Sequence, residues 1–300
     1  MNQRRIEAFR AVMVMGSITR AAARLNVSQP AVSRLVADLE AEIDLKLFVR
    51  AGGQIIATEE ARSLMEDVDF FFRGLEGVYQ AAQDIKEMRK GKVRLAVMPN
   101  LSFDAVPEII SLFLKKHQDV KLTMDVLTSP NIANLVASRH FDLGFAQLSD
   151  RRPDLKILAS YRLKCVCVVA HGHRLAKRES LFPEDFLDEQ IVALSQHTLT
   201  AHHIRQTFLR SNVELNIKIE SQPSFAACAL AVKGVGVAIV DTLTAEFFGQ
   251  NRLAAIPFFP EIPFDFHLFQ AAHTSGNRTS KGLLVHAIGL MDDNPNMEKL

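Results

Sequence analysis

The stretch from Ser17 to Phe48, SITRAAARLNVSQPAVSRLVADLEAEIDLKLF, spells two short helices joined by a tight turn. Ser17 is placed to cap a helix whose inward residues Ala21, Ala22 and Leu25 recur at helical spacing, and Asn26-Val27 then breaks that period. Two small alanines let a second helix cross closely. That helix is predicted to open at Ser28, another favourable N-cap, with Pro30 in its first turn, where a missing N–H costs little. Val32, Leu35 and Leu39 form its expected buried stripe, which leaves Gln29, Ser33 and Arg34 on the outer face. Short polar groups and an arginine near the start of such a second helix suit major-groove readout, because there side chains reach base edges while the first helix crosses the backbone. An ordinary helical hairpin with a polar solvent face satisfies the periodicity equally well.

The residue pattern separates the two readings. Ala21-Ala22, Leu25, Ser28-Gln29-Pro30-Ala31-Val32-Ser33, Leu39-Glu40 and Leu47-Phe48 resemble, in register, the N-terminal winged helix-turn-helix of LysR-type transcriptional regulators. The resemblance is dense over the first sixty or so residues and extends through the rest by length and layout. It implies a DNA-contacting set of Thr19, Arg20, Ser28, Gln29, Pro30, Ser33, Arg34 and the wing residue Arg50. Two departures stand out: Ile43-Asp44 replaces the usual helix-ending glycine, and Glu60-Ala61 replaces the usual Ala-Gly. Asp44 tolerates the left-handed conformation that a glycine would take. The wing, Arg50-Ala51-Gly52-Gly53-Gln54, has one arginine where the family often has two, which implies weaker phosphate anchoring.

With 300 residues, 48% apolar and 23% charged, the chain reads as two or three folded soluble domains. The start MNQRRIEAF has no apolar targeting core and no later apolar run approaches the roughly 20 residues of a membrane span, so a cytoplasmic protein without membrane contact is expected. Net charge is +1, but residues 1–50 hold eight Lys/Arg against five Asp/Glu, a mild positive bias at the proposed DNA contact. Cys165, Cys167 and Cys228 give no disulfide framework, as fits a reducing compartment. Cys165 and Cys167 followed by His171 and His173 also allow a metal or redox cluster. The run LKCVCVVA instead reads as a buried parallel strand in which cysteine is a small hydrophobe, so no metal or cofactor is expected.

Three segments separate along the chain. A helix from Arg4 to Met15, turning Ile6, Phe9, Val12 and Met13 inward, packs beneath the hairpin, and Ile55-Ile56 closes the wing, giving a winged helix-turn-helix domain over 1–57. Thr58 then caps a long helix with Glu59 and Glu60 in its favourable first turn. Ala61, Leu64, Val68, Phe71, Leu75, Val78, Ala82 and Ile85 follow at alternating spacings of three and four, a heptad seam that wants a partner. The resemblance implies the same: a linker helix over 58–89 that joins a homodimer, with a homotetramer on DNA.

After Arg89-Lys90-Gly91-Lys92 strand-like runs alternate with helical stretches. Lys92 to Met98, Val120 to Leu127, Leu143 to Phe145, Cys165 to Ala170, Ile191 to Leu194 and Val237 to Val240 read as strands, with helices near 103–116, 131–138, 200–211, 225–232 and 280–291. Such alternation argues for open, largely parallel α/β sheets that bind ligands at the carboxyl ends of their strands. The resemblance implies a two-lobed, periplasmic-binding-protein-like effector domain over 90–300. Lobe I would hold about 90–161 and 267–300, lobe II about 162–266, with the crossings near Tyr161 and Phe266.

Polar residues between a strand end and a helix start make anion sites, since free N–H groups and the helix dipole both point outward. Pro99 to Ser102, Thr128-Ser129, Ser195 to Thr200 and Ser221 to Ser224 qualify, and they nominate Asn100, Leu101, Ser102, Ser129, His197, Thr198, Thr200 and Ser224 as effector contacts. Ser and Thr also simply cap helices there. A carboxylate-bearing metabolite is the natural ligand class, and a similarity to the octopine and nopaline regulators within the family implies an amino-acid-derived one. The alternative is a cytoplasmic α/β enzyme with an appended DNA-binding module. Against it, the sequence has no Gly-x-Ser-x-Gly elbow, no phosphate loop and no zinc signature, and it nominates no catalytic residue.

Overall fold

The computed structural model describes residues 2–51, 54–86, 92–249, 251–272, 274 and 278–300. The chain forms two compact units, Met1–Ala81 and Ala82–Leu300. Three sequence expectations, the wing tip at Gly52-Gly53, the last linker residues 87–89 and the boundary at 89–91, lie outside the described residues.

In the first unit, α1 (Gln3–Met15) opens on Asn2, whose side chain accepts the Arg4 N–H at 3.1 Å, and closes at left-handed Gly16. The hairpin is α2 (Ile18–Leu25) and α3 (Gln29–Ile43), followed by a wing of β1 (Phe48–Ala51) antiparallel to β2 (Gln54–Ala57). Ala21 and Ala22 are buried against Ala8, Ala11 and Val12 of α1 and Val32 and Val36 of α3. Thus the buried stripe of α3 is Val32, Val36 and Leu39, with Leu35 only half-buried. The spacing 32, 36, 39 follows the helical period, and Leu35 lies at the edge of that stripe, packed against the same cluster. Asp44 adopts the left-handed conformation, φ +54°, that ends α3. Glu40 then accepts the N–H groups of Leu47 and Phe48 at 2.7 and 3.1 Å, which ties α3 to the wing.

The long helix α4 (Glu59–Lys86) is capped by Thr58, whose hydroxyl accepts the Ala61 N–H at 3.2 Å and donates to the Lys46 carbonyl at 2.8 Å. Its apolar stripe divides into two parts. Ala61 and Val68, with Leu64, Met65 and Phe72, pack onto Ile6, Phe9, Leu39 and Leu47 within the unit. Further along, Phe71, Leu75, Val78 and Tyr79 are 44%, 44%, 65% and 68% exposed. The single continuous seam of the sequence reading is therefore corrected: the first turns are consumed by the helix's own module. The side chains of Ala82 and Ile85 lie outside the described ones.

The second unit runs β3 (Lys92–Val97), α5 (Ala105–Lys116), β4 (Lys121–Val126), α6 (Ser129–Ala137), β5 (Leu143–Ala146) and β6 (Leu155–Val169). It continues with β7 (Ile191–Leu194), α7 (Leu199–Arg210), β8 (Ile217–Ser221), α8 (Ser224–Val232), β9 (Ala238–Asp241), α9 (Thr242–Phe248), β10 (Ala254–Pro257), β11 (Pro263–Ala271), α10 (Arg278–Asp292) and β12 (Glu298–Lys299). β4, β3 and β5 are parallel, as are β7 and β8. β11 lies antiparallel between β5 and β6. From Cys165 onward β6 leaves β11 and runs antiparallel to both β9 and β10. Hence the run 165–169 is buried as expected, with Val166 half-buried, but its pairing is antiparallel. An apolar run reports burial of both faces and says nothing of direction. Tyr161 pairs opposite Phe266 with the rings stacked at 5.6 Å, where β6 and β11 pass together through the sheet.

All three cysteines are buried and unbonded, and burial pushes their thiols up, that of Cys228 to about 12. Among the described residues no helix is long and apolar enough to cross a membrane, and no three His, Cys, Asp or Glu side chains gather as a metal site.

Candidate nucleic-acid interface and ligand cavity

On α3, Gln29, Pro30 and Arg34 are exposed and Ser33 is half-buried beside them. Gln29 donates to the Ser33 hydroxyl at 3.1 Å, a one-turn contact that pre-orders two of the outward polar groups. Thr19 and Arg20, at the start of α2, are exposed as well. Ser28 stands at the N-cap of α3, but its side chain makes no capping hydrogen bond, which corrects the expectation. Its carbonyl instead takes the N–H groups of Ala31 and Val32 at 3.1 and 3.3 Å. Arg50 sits in β1 opposite Ile55, with its side chain outside the described ones. Several of the basic residues are occupied internally: Arg5 pairs with Glu42 at 2.6 Å, Arg10 with Asp69 at 2.8 Å and Lys46 with Glu40 at 3.2 Å.

In the second unit a cavity of about 740 Å³ opens where strands end and helices begin. The N-termini of α6, α7 and α8 all reach it, through Ser129, Thr198 with Thr200, and Ser224, and Asn100 enters from the turn after β3. His197 also lines it. Six of the eight residues nominated by sequence therefore share one wall. Leu101 and Ser102 do not. The chain makes a 3-10 turn over Pro99–Leu101, which drives Leu101 fully into the core and folds the Ser102 hydroxyl back onto the Pro99 carbonyl at 2.7 Å.

The lining groups hold one another. The Thr200 hydroxyl donates to Gln147 Oε1 at 3.3 Å, and the Gln147 N–H donates to the Ser129 hydroxyl at 3.2 Å. Thr198 caps α7 by accepting the Ala201 N–H at 3.2 Å. Asn100 donates through Nδ2 to the Ser224 hydroxyl at 3.0 Å and to Asp241 Oδ2. Asp241 is fully buried at the end of β9 and caps α9 by accepting the Thr244 N–H at 2.9 Å. Burial pushes its carboxyl above the ordinary range, and the Thr244 and Asn100 donors pull it partly back.

At another part of the lining Arg152 makes a two-pronged contact with Asp154, at 3.0 and 2.6 Å, and donates to Asn134 at 2.7 Å. The hydrogen bond from Arg152 holds the Asp154 carboxyl below its usual value. Sequence reasoning missed Gln147 and Arg152, which line the cavity, and Asp241 behind it. Gln147 follows β5 directly, so the strand-end rule could have found it. His202 and His203 stay outside the lining; His202 contacts Gln206 at 2.8 Å and His203 the Pro263 carbonyl at 3.4 Å. His173 pairs with Glu189 at 3.2 Å.

A helix-turn-helix with a wing, joined to an α/β unit with a polar cavity at its helix N-termini, defines a ligand-responsive DNA-binding regulator. Residues 3–62 match the family described as bacterial regulatory helix-turn-helix protein, lysR family, and residues 86–282 match the LysR substrate binding domain. The chain therefore belongs to the LysR family of transcriptional regulators, which are not enzymes. It is 34% identical to the regulatory protein NocR of Agrobacterium fabrum over 88% of both chains. It is also 34% identical to the octopine catabolism/uptake operon regulatory protein OccR of Rhizobium meliloti, over 86% of this chain and 85% of that one. The crystal structure of CbnR, a LysR family transcriptional regulator, matches with a TM-score of 0.65 at 17% identity, covering 97% of this chain and 99% of that one, a likeness of fold.

Proposed function

We propose that this regulator binds promoter or operator DNA as a homo-oligomer and that a small carboxylate-bearing, amino-acid-derived effector in the cavity controls that binding. The observation that carries the effector half is the convergence of three helix N-termini, each bearing Ser or Thr, on one cavity. Unpaired first-turn N–H groups and hydroxyl donors suit a carboxylate. OccR is named for octopine catabolism, which favours an amino-acid-derived ligand here. Gln29, Ser33 and Arg34 would read base edges, with Thr19, Arg20, Ser28, Pro30 and Arg50 positioning the helix on the phosphates.

The unit with the cavity divides, in this reading, into a first lobe of about 90–161 and 267–300 and a second of about 162–266, crossing at the Tyr161–Phe266 pair. The support is the change of partners along β6, from β11 to β9 and β10. The exposed Phe71, Leu75, Val78 and Tyr79 of α4 favour a dimer through the linker helix, and two dimers would assemble on DNA. The protein would act in the cytoplasm, beside the DNA it reads. Effector acts only through unequal affinity for two arrangements of the DNA-binding heads. The test is a gel shift on DNA upstream of the protein's own gene, with and without metabolites that raise its melting temperature. No shift with that DNA, or a shift that no stabilising metabolite changes, overturns the proposal.

A further inference from the structure

One corner of the cavity has a hydrogen-bonding polarity that its neighbours fix. Asn100 lines the cavity and Asp241 lies behind it, fully buried and outside the lining. Asp241 accepts at both carboxylate oxygens, from the Thr244 N–H at 2.9 Å, the Thr244 hydroxyl at 2.9 and 3.0 Å and the Asn100 amide. The carboxyl already collects the Thr244 N–H and hydroxyl, and the Asn100 group that meets its Oδ2 is the NH₂, the amide's donor end. That same NH₂ also meets the Ser224 hydroxyl at 3.0 Å. Both amide protons are thereby committed, and only the Asn100 carbonyl remains for a ligand. The Ser224 hydroxyl, having accepted from Asn100, keeps its own proton to donate, and it sits at the first residue of α8, where the dipole favours negative charge. A bare acceptor thus stands next to a donor reinforced by a helix N-terminus. The complementary ligand carries a donor and an anion on neighbouring atoms, as the ammonium and carboxylate of an α-amino acid do.

Resting on the effector reading above, we propose that Asp241 is a positioning residue which, by holding the Asn100 amide in one orientation, makes the cavity select α-amino acids over the 2-oxo acids of the same skeleton. A 2-oxo group presents only an acceptor to the Asn100 carbonyl and leaves that carbonyl unpaired.

The test is calorimetry of the full-length protein with the free L-α-amino acids and, skeleton by skeleton, their 2-oxo acids, in wild type and in Asp241→Asn. Asparagine is nearly isosteric and remains a good N-cap for α9, so folding is retained, which melting and operator binding verify. In wild type at least one amino acid is expected to bind about tenfold or more tighter than its oxo acid. In D241N the neutral side chain can donate as well as accept, Asn100 is free to turn over, and that ratio falls toward one. Equal binding of the pair in wild type, an unchanged ratio in D241N, or no binding by either series overturns the assignment. Thr200→Ala separates the two layers of the argument. If it weakens binding while the amino/oxo ratio is flat, only the role of Asp241 fails; if it leaves binding intact, the cavity reading itself fails.

Discussion

The outer face of α3 and the wall of the cavity are both polar, yet they are held in opposite ways. Gln29, Pro30 and Arg34 stand exposed, and Gln29 hydrogen-bonds to Ser33 one turn along the same helix. In the cavity, Thr200, Gln147 and Ser129 form one chain of hydrogen bonds, and Ser224, Asn100, Asp241 and Thr244 form another. Exposed groups lose little when one of them is removed, because water replaces the partner. Buried groups leave an unsatisfied neighbour behind, so substitutions in the cavity should be strongly non-additive and those on α3 nearly additive.

The largest effect should come from α4, through which the two surfaces would act together. Phe71→Asp with Leu75→Asp places two charges on the exposed apolar stretch, and desolvating a charge in a helix seam costs on the order of several kcal/mol. Monomers in sedimentation and loss of operator binding are expected, with the cavity unaffected. A dimer that survives the double substitution would show that Phe71 and Leu75 face solvent in the assembly.

Next in size is the cavity. With Ser102 turned back onto Pro99, Ser129 and Thr200 are the hydroxyls to remove. Ser129→Ala with Thr200→Ala should lower effector affinity about a hundredfold: the Ser129 hydroxyl keeps its proton for the charged ligand, a bond contributing roughly 1.5–3 kcal/mol, and Thr200 holds Gln147 in place, roughly 0.5–1.5 kcal/mol more. Operator binding without effector should persist. Because Gln147 touches both residues, the double variant should lose less than the sum of the singles, which calorimetry on all three would read. Strict additivity would mean that the two hydroxyls meet the ligand independently of Gln147.

Smaller changes are expected on α3. Gln29→Ala or Arg34→Ala should lower specific DNA affinity by about 1–3 kcal/mol without a change in melting temperature. Unchanged operator affinity in both variants would remove α3 from the DNA.

These contrasts also explain what the sequence could carry. The first unit was legible because its information is local: Ala21-Ala22 specify a close crossing, and Asp44 fills a left-handed position within the same two dozen residues. Even there Val36 displaced Leu35, and the α4 stripe split, because a heptad pattern does not record which partner it meets. In the second unit, strand ends next to helix starts are visible in sequence, and that rule gathers Asn100, Ser129, Thr200 and Ser224 around one cavity. It failed at Leu101 and Ser102, where one 3-10 turn decides which side chain faces inward. It was silent on β11, α9 and Asp241, since antiparallel pairing at long range and a buried carboxylate behind the wall leave no local period.

The smallest expected effect is at Ser28, and it sharpens the comparison most directly. A serine at an N-cap ordinarily contributes about 0.5–2 kcal/mol through a side-chain bond to a first-turn N–H. Ser28 makes no such bond, whereas Thr198 in the cavity wall caps α7 at 3.2 Å. Ser28→Ala should therefore change stability by less than about 0.5 kcal/mol, while Thr198→Ala should cost about 1 kcal/mol. Chemical denaturation of the two variants reads the difference. A cost near 1 kcal/mol at Ser28 would mean that its hydroxyl does cap α3 in solution. Weaker operator binding at unchanged stability would instead place the exposed hydroxyl on the DNA backbone, where a short side chain at a helix start reaches a phosphate oxygen.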